Sequence, residues 1–133
     1  MTELTGARRT VRRRVLFVDT DAGGRIHVTA ALRWAEAVEH RLVLDLAPGT
    51  DIGTWPRRHL EATYHRALGF DDEFELTLGV VRVGRSSVTW GWRVERDGAV
   101  WVEGGCTTVH VGSDGTPAPV PDALRARLLD PAA

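Results

Sequence analysis

Asp19 and Asp21 stand two residues apart in "VLFVDTDAGGRIHVTAALRW", followed by Gly23 and Gly24 and then by a run with helical spacing. Two acids and two glycines before a helix suit three roles. A carboxylate there meets unpaired backbone N–H groups and a partial positive charge. It can activate water or attack directly while those N–H groups hold a developing oxyanion. The D-x-D start also opens calcium loops, but these need more oxygen ligands and a distal bidentate acid at a spacing absent here. The third role is a plain turn, since Asp caps and bends chains without any chemistry. On the local pattern alone, catalysis by Asp21 and a structural turn stand level.

Other reactive side chains are poorly placed. His27, His40, His59, His65 and His110 show no H-E-x-x-H or paired-ligand spacing, so no metal is expected. Ser86, Ser87 and Ser113 are the only serines, and none lies in G-x-S-x-G. Cys106 falls mid-strand and reads as a buried thiol rather than a nucleophile. As the single cysteine it excludes an internal disulfide and fits a reducing cytoplasm. Gly23-Gly24 does not extend to G-x-G-x-x-G, which leaves no dinucleotide loop. All 17 basic side chains are Arg, and Lys, Asn and Gln are absent. That removes Schiff-base and P-loop lysines, leaves no amide side chain to donate to an oxyanion, and points to a GC-rich bacterial genome. No cofactor is expected. With 17 basic against 18 acidic groups, no global charge calls for nucleic acid. Without a run of about 20 apolar residues or a signal peptide, no membrane insertion is expected and a cytoplasmic location is.

The elements that must position Asp21 follow from periodicity. At 133 residues one domain is expected, with residues 1–10 as a loose leader and 122–133 as a tail ending in a short helix. "TVRRRVLFVD" alternates Val11, Val15 and Phe17 against Arg12, Arg14 and Leu16, the pattern of a strand. Its arginines suit an edge strand kept soluble by charge better than a nucleic-acid arm. Thr29 is placed to cap a helix that ends before Pro48-Gly49. Leu32, Ala35, Val38, Leu42 and Leu46 make its apolar stripe, while Arg33, Glu36, Glu39 and His40 fill the remainder. Glu36 reads as a solvated partner of His40, one turn away. "RRHLEATYHRA", "DEFELTLGVVRVG", "SSVTWGWRVERDG" and "AVWVEGGCTTVHVG" are strand-like. Asp97-Gly98 forms a strong hairpin signal, Val83-Gly84-Arg85-Ser86 a weaker one, and Gly104-Gly105 suggests a bulge. One amphipathic helix and a sheet with one apolar face bury each other. The expected fold class is α+β, a curved antiparallel sheet wrapped around one long helix. A second copy would thicken so thin a layer.

"VLFVDTDAGGRIHVTAALRWAEA" and the later "LEATYHRALGFDDEFELTLGVVRVGRSSVTWGWRVERDGAVWVEGGCTTVHVGSDGTPAPVP" resemble the hot-dog-fold acyl-CoA thioesterases. The branch is the one that holds 4-hydroxybenzoyl-CoA thioesterase and the Tol-Pal-associated short-chain acyl-CoA thioesterases. The likeness runs from Val11 to Pro121 and rests on the D-x-D-x-x-G loop, the F-D-D-E strand start and the G-R-S-S turn.

The resemblance implies a hot-dog fold and a homodimer, or a tetramer, with active sites between subunits. It makes Asp21 the catalytic carboxylate, as nucleophile or as general base. It makes the backbone N–H of Val28 the oxyanion donor and lines the approach with Gly24. Arg85, Ser86 and Ser87 fall where relatives contact the nucleotide and phosphates of CoA, a task that suits Arg. His27 and Tyr64 fall near the acyl group, as substrate contacts or as packing. Ala30-Ala31, where relatives carry Asn-Tyr, implies a wider or more apolar pocket. The implied substrate is an acyl-CoA thioester, with release from acyl carrier protein and non-catalytic acyl-CoA binding as alternatives. A dehydratase on this fold lacks its expected surroundings at His27 and Glu36.

Overall fold

The computed structural model describes residues 3–133. Five strands, β1 (Arg8–Arg14), β2 (Arg57–Tyr64), β3 (Glu73–Val83), β4 (Ser87–Arg96) and β5 (Ala99–Val109), form one antiparallel sheet in the order β1-β3-β4-β5-β2. Helix α1 (Ala30–Leu46) crosses the curved sheet, and a short helix α2 (Asp122–Leu128) closes one end. The expected α+β arrangement is therefore observed. The Asp97-Gly98 turn has positive φ at both residues, 52° and 74°, as a two-residue hairpin demands.

The core lies between the helix and the inward residues of the central strands. Ala31, Ala35, Val38, Leu42 and Leu46 of α1 are buried together with Leu76, Leu78, Val80, Trp90, Trp92, Val94 and Val102. Leu42 has no exposed surface, so Leu42→Ala would cost about 2–5 kcal/mol. Leu32, the first residue of the expected stripe, is only partly buried. Glu39, assigned from sequence to the outer face, is buried instead.

β1 is an edge strand, with Arg12 reaching Glu73 and Glu75 and Arg14 reaching Glu73 on β3. The expected loose leader is corrected over its described part: Arg8, Arg9 and Thr10 belong to β1, and Ala7 is fully buried. Thr5 and Gly6 donate their N–H groups to the Val80 carbonyl, and Ala7 donates to the Leu128 carbonyl. Residues 1 and 2 of that leader lie outside the described residues. Glycine makes this packing possible, since a Cβ on Gly79 would sit 2.8 Å from the Arg8 Cβ and 3.0 Å from Leu4 Cδ1. In the tail, α2 buries Leu124 and Leu128.

Gly104-Gly105 carries no bulge. Both residues stay in register with Trp92 and Gly91 on one side and Ala62 and Glu61 on the other. A side chain on Gly104 would meet the Glu61 carbonyl at 2.3 Å and the Trp92 ring at 2.5 Å, so close approach explains the glycine. The irregularities fall elsewhere, at Val80/Arg82, at Val94/Glu95 and at Arg57/His59. No helix among the described residues is long and apolar enough to cross a membrane.

Candidate active site

The loop from β1 to α1 is closed by its own backbone and by Asp19. At the end of a 3-10 turn, Phe17–Asp19, Asp19 turns inward and is buried. Its carboxylate accepts the Leu16 N–H at 2.9 Å and lies 3.5 Å from the Arg33 guanidinium. The Asp19 carbonyl takes the His27 N–H at 2.7 Å, and Asp21 N–H donates to the Arg25 carbonyl at 2.9 Å. Ile26 N–H donates to the Leu68 carbonyl, which fastens the loop to the chain entering β3. Gly24 adopts φ +79°, a left-handed conformation that strains any side-chain-bearing residue. Asp19 thus shapes the loop, and its charge is taken.

Asp21 differs in exposure and in charge pairing. Its side chain is exposed, one carboxylate oxygen accepts the Gly23 N–H at 2.8 Å, and no cation of the described residues lies within 4 Å. The second oxygen has no partner among the described residues. At the far end of the same loop, the Val28 N–H also lacks a partner among the described residues, while its neighbours are engaged. His27 N–H serves Asp19, Thr29 N–H reaches the His27 ring, and Ala30 N–H reaches the His27 carbonyl at 2.9 Å. Val28 is exposed, so an open N–H stands at the start of α1, where the helix dipole favours negative charge.

Thr29 occupies the cap position but does not cap α1 with its side chain, contrary to expectation. Its hydroxyl bonds instead to the His27 Nδ1 at 2.8 Å and receives Arg33 from the next turn. Because the Thr29 N–H also donates to Nδ1, the ring's proton sits on Nε2. The Tyr64 hydroxyl, at the end of β2, donates to the Val28 carbonyl, and burial raises its pKa. Ala30 and Ala31 are fully buried.

Asp21, Gly24, His27, Val28 and Tyr64 therefore come together at one end of the sheet. Arg85, Ser86 and Ser87 do not join them. They form the β3–β4 turn, pinned by His110 N–H to the Ser86 carbonyl, Val120 N–H to the Arg85 carbonyl and Arg125 to the Gly84 carbonyl. The loop carrying Asp21 abuts the start of β3 and this turn follows its end, so the length of the strand, about 30 Å, separates them.

A second polar cluster was not foreseen. Arg57, the first residue of β2, bonds Glu39 and the Cys106 thiol through one nitrogen and His40 through the other, which also lies 3.1 Å from Glu36. A guanidinium only donates, so His40 Nε2 accepts and the ring is neutral. Burial lowers the His40 pKa further, against the opposing pull of Glu36. Burial raises Glu39 above the usual 4.5 despite Arg57, and it also raises Cys106. Burial is the largest single influence on Arg57 and works against its charge, but the bonds and charges of Glu39 and Cys106 together outweigh it and the net shift is upward. Glu36 and His40 thus meet through Arg57 and not as a solvated pair. The i, i+3, i+4 spacing of Glu36, Glu39 and His40 was the available signal; the partner lay beyond any local pattern. Among the described residues no three His, Cys, Asp or Glu side chains gather as a metal site.

Comparison with known proteins identifies the family and the fold. The sequence pattern of the thioesterase-like superfamily matches residues 15–128. A predicted thioesterase from Bacillus stearothermophilus is 25% identical, with a TM-score of 0.83 over 92% of this chain and 94% of its own. A thioesterase from Thermus thermophilus, solved with coenzyme A and Zn, is 28% identical, with a TM-score of 0.81 over 90% of this chain and 95% of its own. A 1,4-dihydroxy-2-naphthoyl-CoA thioesterase from Synechocystis shares the fold at 14% identity, with a TM-score of 0.82 over 96% of this chain and 99% of its own. No curated protein matches the chain.

Proposed function

Since the chain belongs to the thioesterase-like superfamily and is a thioester hydrolase of hot-dog fold, we propose that it hydrolyses acyl-CoA thioesters with Asp21 as its essential carboxylate. The observation that carries this reading is the pairing, on one closed loop, of an exposed carboxylate with a free oxygen and an open N–H at a helix start. The Val28 N–H receives the thioester oxygen as negative charge develops on it. Asp21 takes a proton from water as the water oxygen bonds to the acyl carbon. Collapse of that intermediate breaks the C–S bond, and the proton passes to the departing CoA thiolate. Direct attack by Asp21 would give a mixed anhydride that water then opens; both routes need the same charged oxygen. The D-x-D-x-x-G loop favours the 4-hydroxybenzoyl-CoA and Tol-Pal-associated branch.

The site is completed by a second copy in this reading. β2 lies at the sheet edge, exposes all but its first residue and carries the half-exposed Leu60 and Tyr64. Edge strands left open in this way pair or are covered. Two β2 edges meeting antiparallel about a two-fold axis set the Tyr64 end of one copy beside the Arg57 end of the other. The partner's Arg85 turn then approaches Asp21, and its guanidinium suits a CoA phosphate. The lone cysteine and the Lys-free composition fit a cytoplasmic bacterial enzyme.

A thiol-release assay over acyl-CoAs of graded chain length, aromatic esters included, tests the reading on wild type and Asp21→Asn. The same acyl groups on acyl carrier protein form the second arm. Expected are turnover of free CoA esters by wild type and near-complete loss in the variant. Equal rates in both proteins, or turnover of carrier-linked esters alone, would overturn the assignment.

A further inference from the structure

We propose that the groove between β1 and α1 is a binding site for an amphiphilic monocarboxylate, separate from the Asp21 loop. The groove encloses about 290 Å³ and draws its walls from three elements. Val11 of β1, Trp34 and Val38 of α1, and Phe74 and Leu76 of β3 make it apolar. Trp34 stacks on Phe74 with ring centroids 4.4 Å apart, which gives one wall a flat aromatic surface. None of Asp21, Gly24, His27, Val28 or Tyr64 borders it. The single acid at its edge, Asp19, is already occupied by the Leu16 N–H and Arg33.

The rim is cationic and only partly neutralised. Arg9 and Arg41 share Asp45, at 3.9 Å and 3.0 Å, and Arg14 turns away to Glu73. Arg13 alone has no carboxylate within 4 Å among the described residues; its guanidinium reaches only the Arg12 carbonyl at 2.9 Å. One uncompensated guanidinium above an apolar slot fits one carboxylate, which it can grip through two parallel N–H bonds, with the organic body lying below. Size sharpens the class. The volume stands at the lower end of the range for small-molecule pockets, about 300–1,000 Å³, so the groove takes a medium-chain or single-ring acid and not a CoA ester. Such acids are what thioester hydrolysis releases, although their binding here does not depend on that reaction.

The test is calorimetric titration of the purified protein with decanoate, below its micelle-forming concentration, and with decanol as the head-group control. Wild type should bind one decanoate per chain, with decanol at least tenfold weaker. Arg13→Gln should weaken decanoate at least tenfold. Ala37→Phe, which fills the groove from an exposed position on α1, should abolish binding. Hydrolysis of a short acyl-CoA in the absence of decanoate should be unchanged in both variants, and decanoate binding should survive Asp21→Asn. Absence of saturable binding in wild type overturns the proposal, as does binding that persists in both groove variants or disappears in Asp21→Asn. A groove that proves to be a contact between copies, seen as loss of oligomer mass in Ala37→Phe without any decanoate binding to wild type, also overturns it. None of these outcomes touches the thiol-release result, which judges the hydrolase reading on its own.

Discussion

Two carboxylates near α1, Asp21 and Glu39, have been given opposite surroundings. Asp21 sits on an exposed loop with one oxygen free and no cation nearby. Glu39 is buried, and Arg57 holds it against β2. Burying a carboxylate costs several kcal/mol, and a close Arg returns much of that, so such a pair is committed to joining two elements. An exposed acid with one open oxygen is tied to the fold only by its bond from the Gly23 N–H. The difference separates a group available to substrate from a group spent on the fold, and it does so without reference to how unusual either looks in sequence.

Substitutions can break this contrast. Asp21→Asn should lower kcat by about 10²- to 10⁴-fold, the usual range for a positioned acid–base group, with little change in Tm by calorimetry. Arg57→Met should do the reverse. It leaves Glu39 buried without a partner and should cost about 3 kcal/mol in urea unfolding, with kcat of the remaining folded enzyme reduced far less. If Arg57→Met instead abolishes turnover at unchanged stability, the division between the two carboxylates is wrong.

Tyr64→Phe has a smaller expected effect and sharpens the contrast from the other side. It removes the bond to the Val28 carbonyl that ties β2 to the loop. About 1 kcal/mol of stability should be lost. A roughly tenfold fall in kcat at unchanged KM should accompany it if the tie orients the N–H donor; a rise in KM alone would make Tyr64 a substrate contact. The least effect is a slope. With its folded pKa raised above 4.5, Glu39 supports folding fully below that pH and loses this support as pH rises through the folded value. Glu39→Gln should flatten this part of the stability–pH curve, measured by denaturant unfolding from pH 4 upward.

How much of this was legible in the chain depends on the range of the interaction. The 3.6-residue stripe, the alternation in β3 to β5 and the Asp97-Gly98 turn are local and appear where periodicity put them. The first strand, expected over residues 10–19, instead ends at Arg14, and Phe17 stands exposed in a 3-10 turn because the chain bends there into the Asp19 loop. The asymmetry of Asp19 and Asp21 is nearly local, because Asp19 closes a loop onto His27 eight residues away. Glu39 escaped because its environment is set by Arg57, 18 residues on and on another element. Gly104-Gly105 was misread for a related reason: glycine pairs mark bulges and close approach alike, and only the Trp92 ring and the Glu61 carbonyl decide between them. The leader escaped because its described part, "ELTGA", has no periodicity of its own. Its order comes from Val80 and Leu128, which the fold brings to it.

The separation of the Asp21 loop from the Arg85 turn by the length of β3 has a kinetic corollary. If one working centre draws its acid from one chain and its phosphate grip from another, centres appear by mass action between chains. Specific activity should then hold steady on dilution until the dimer dissociates, and below that point fall in proportion to chain concentration. Mixing an Asp21→Asn chain with an Arg85→Ala chain, each impaired alone, should restore one intact centre in each mixed pair.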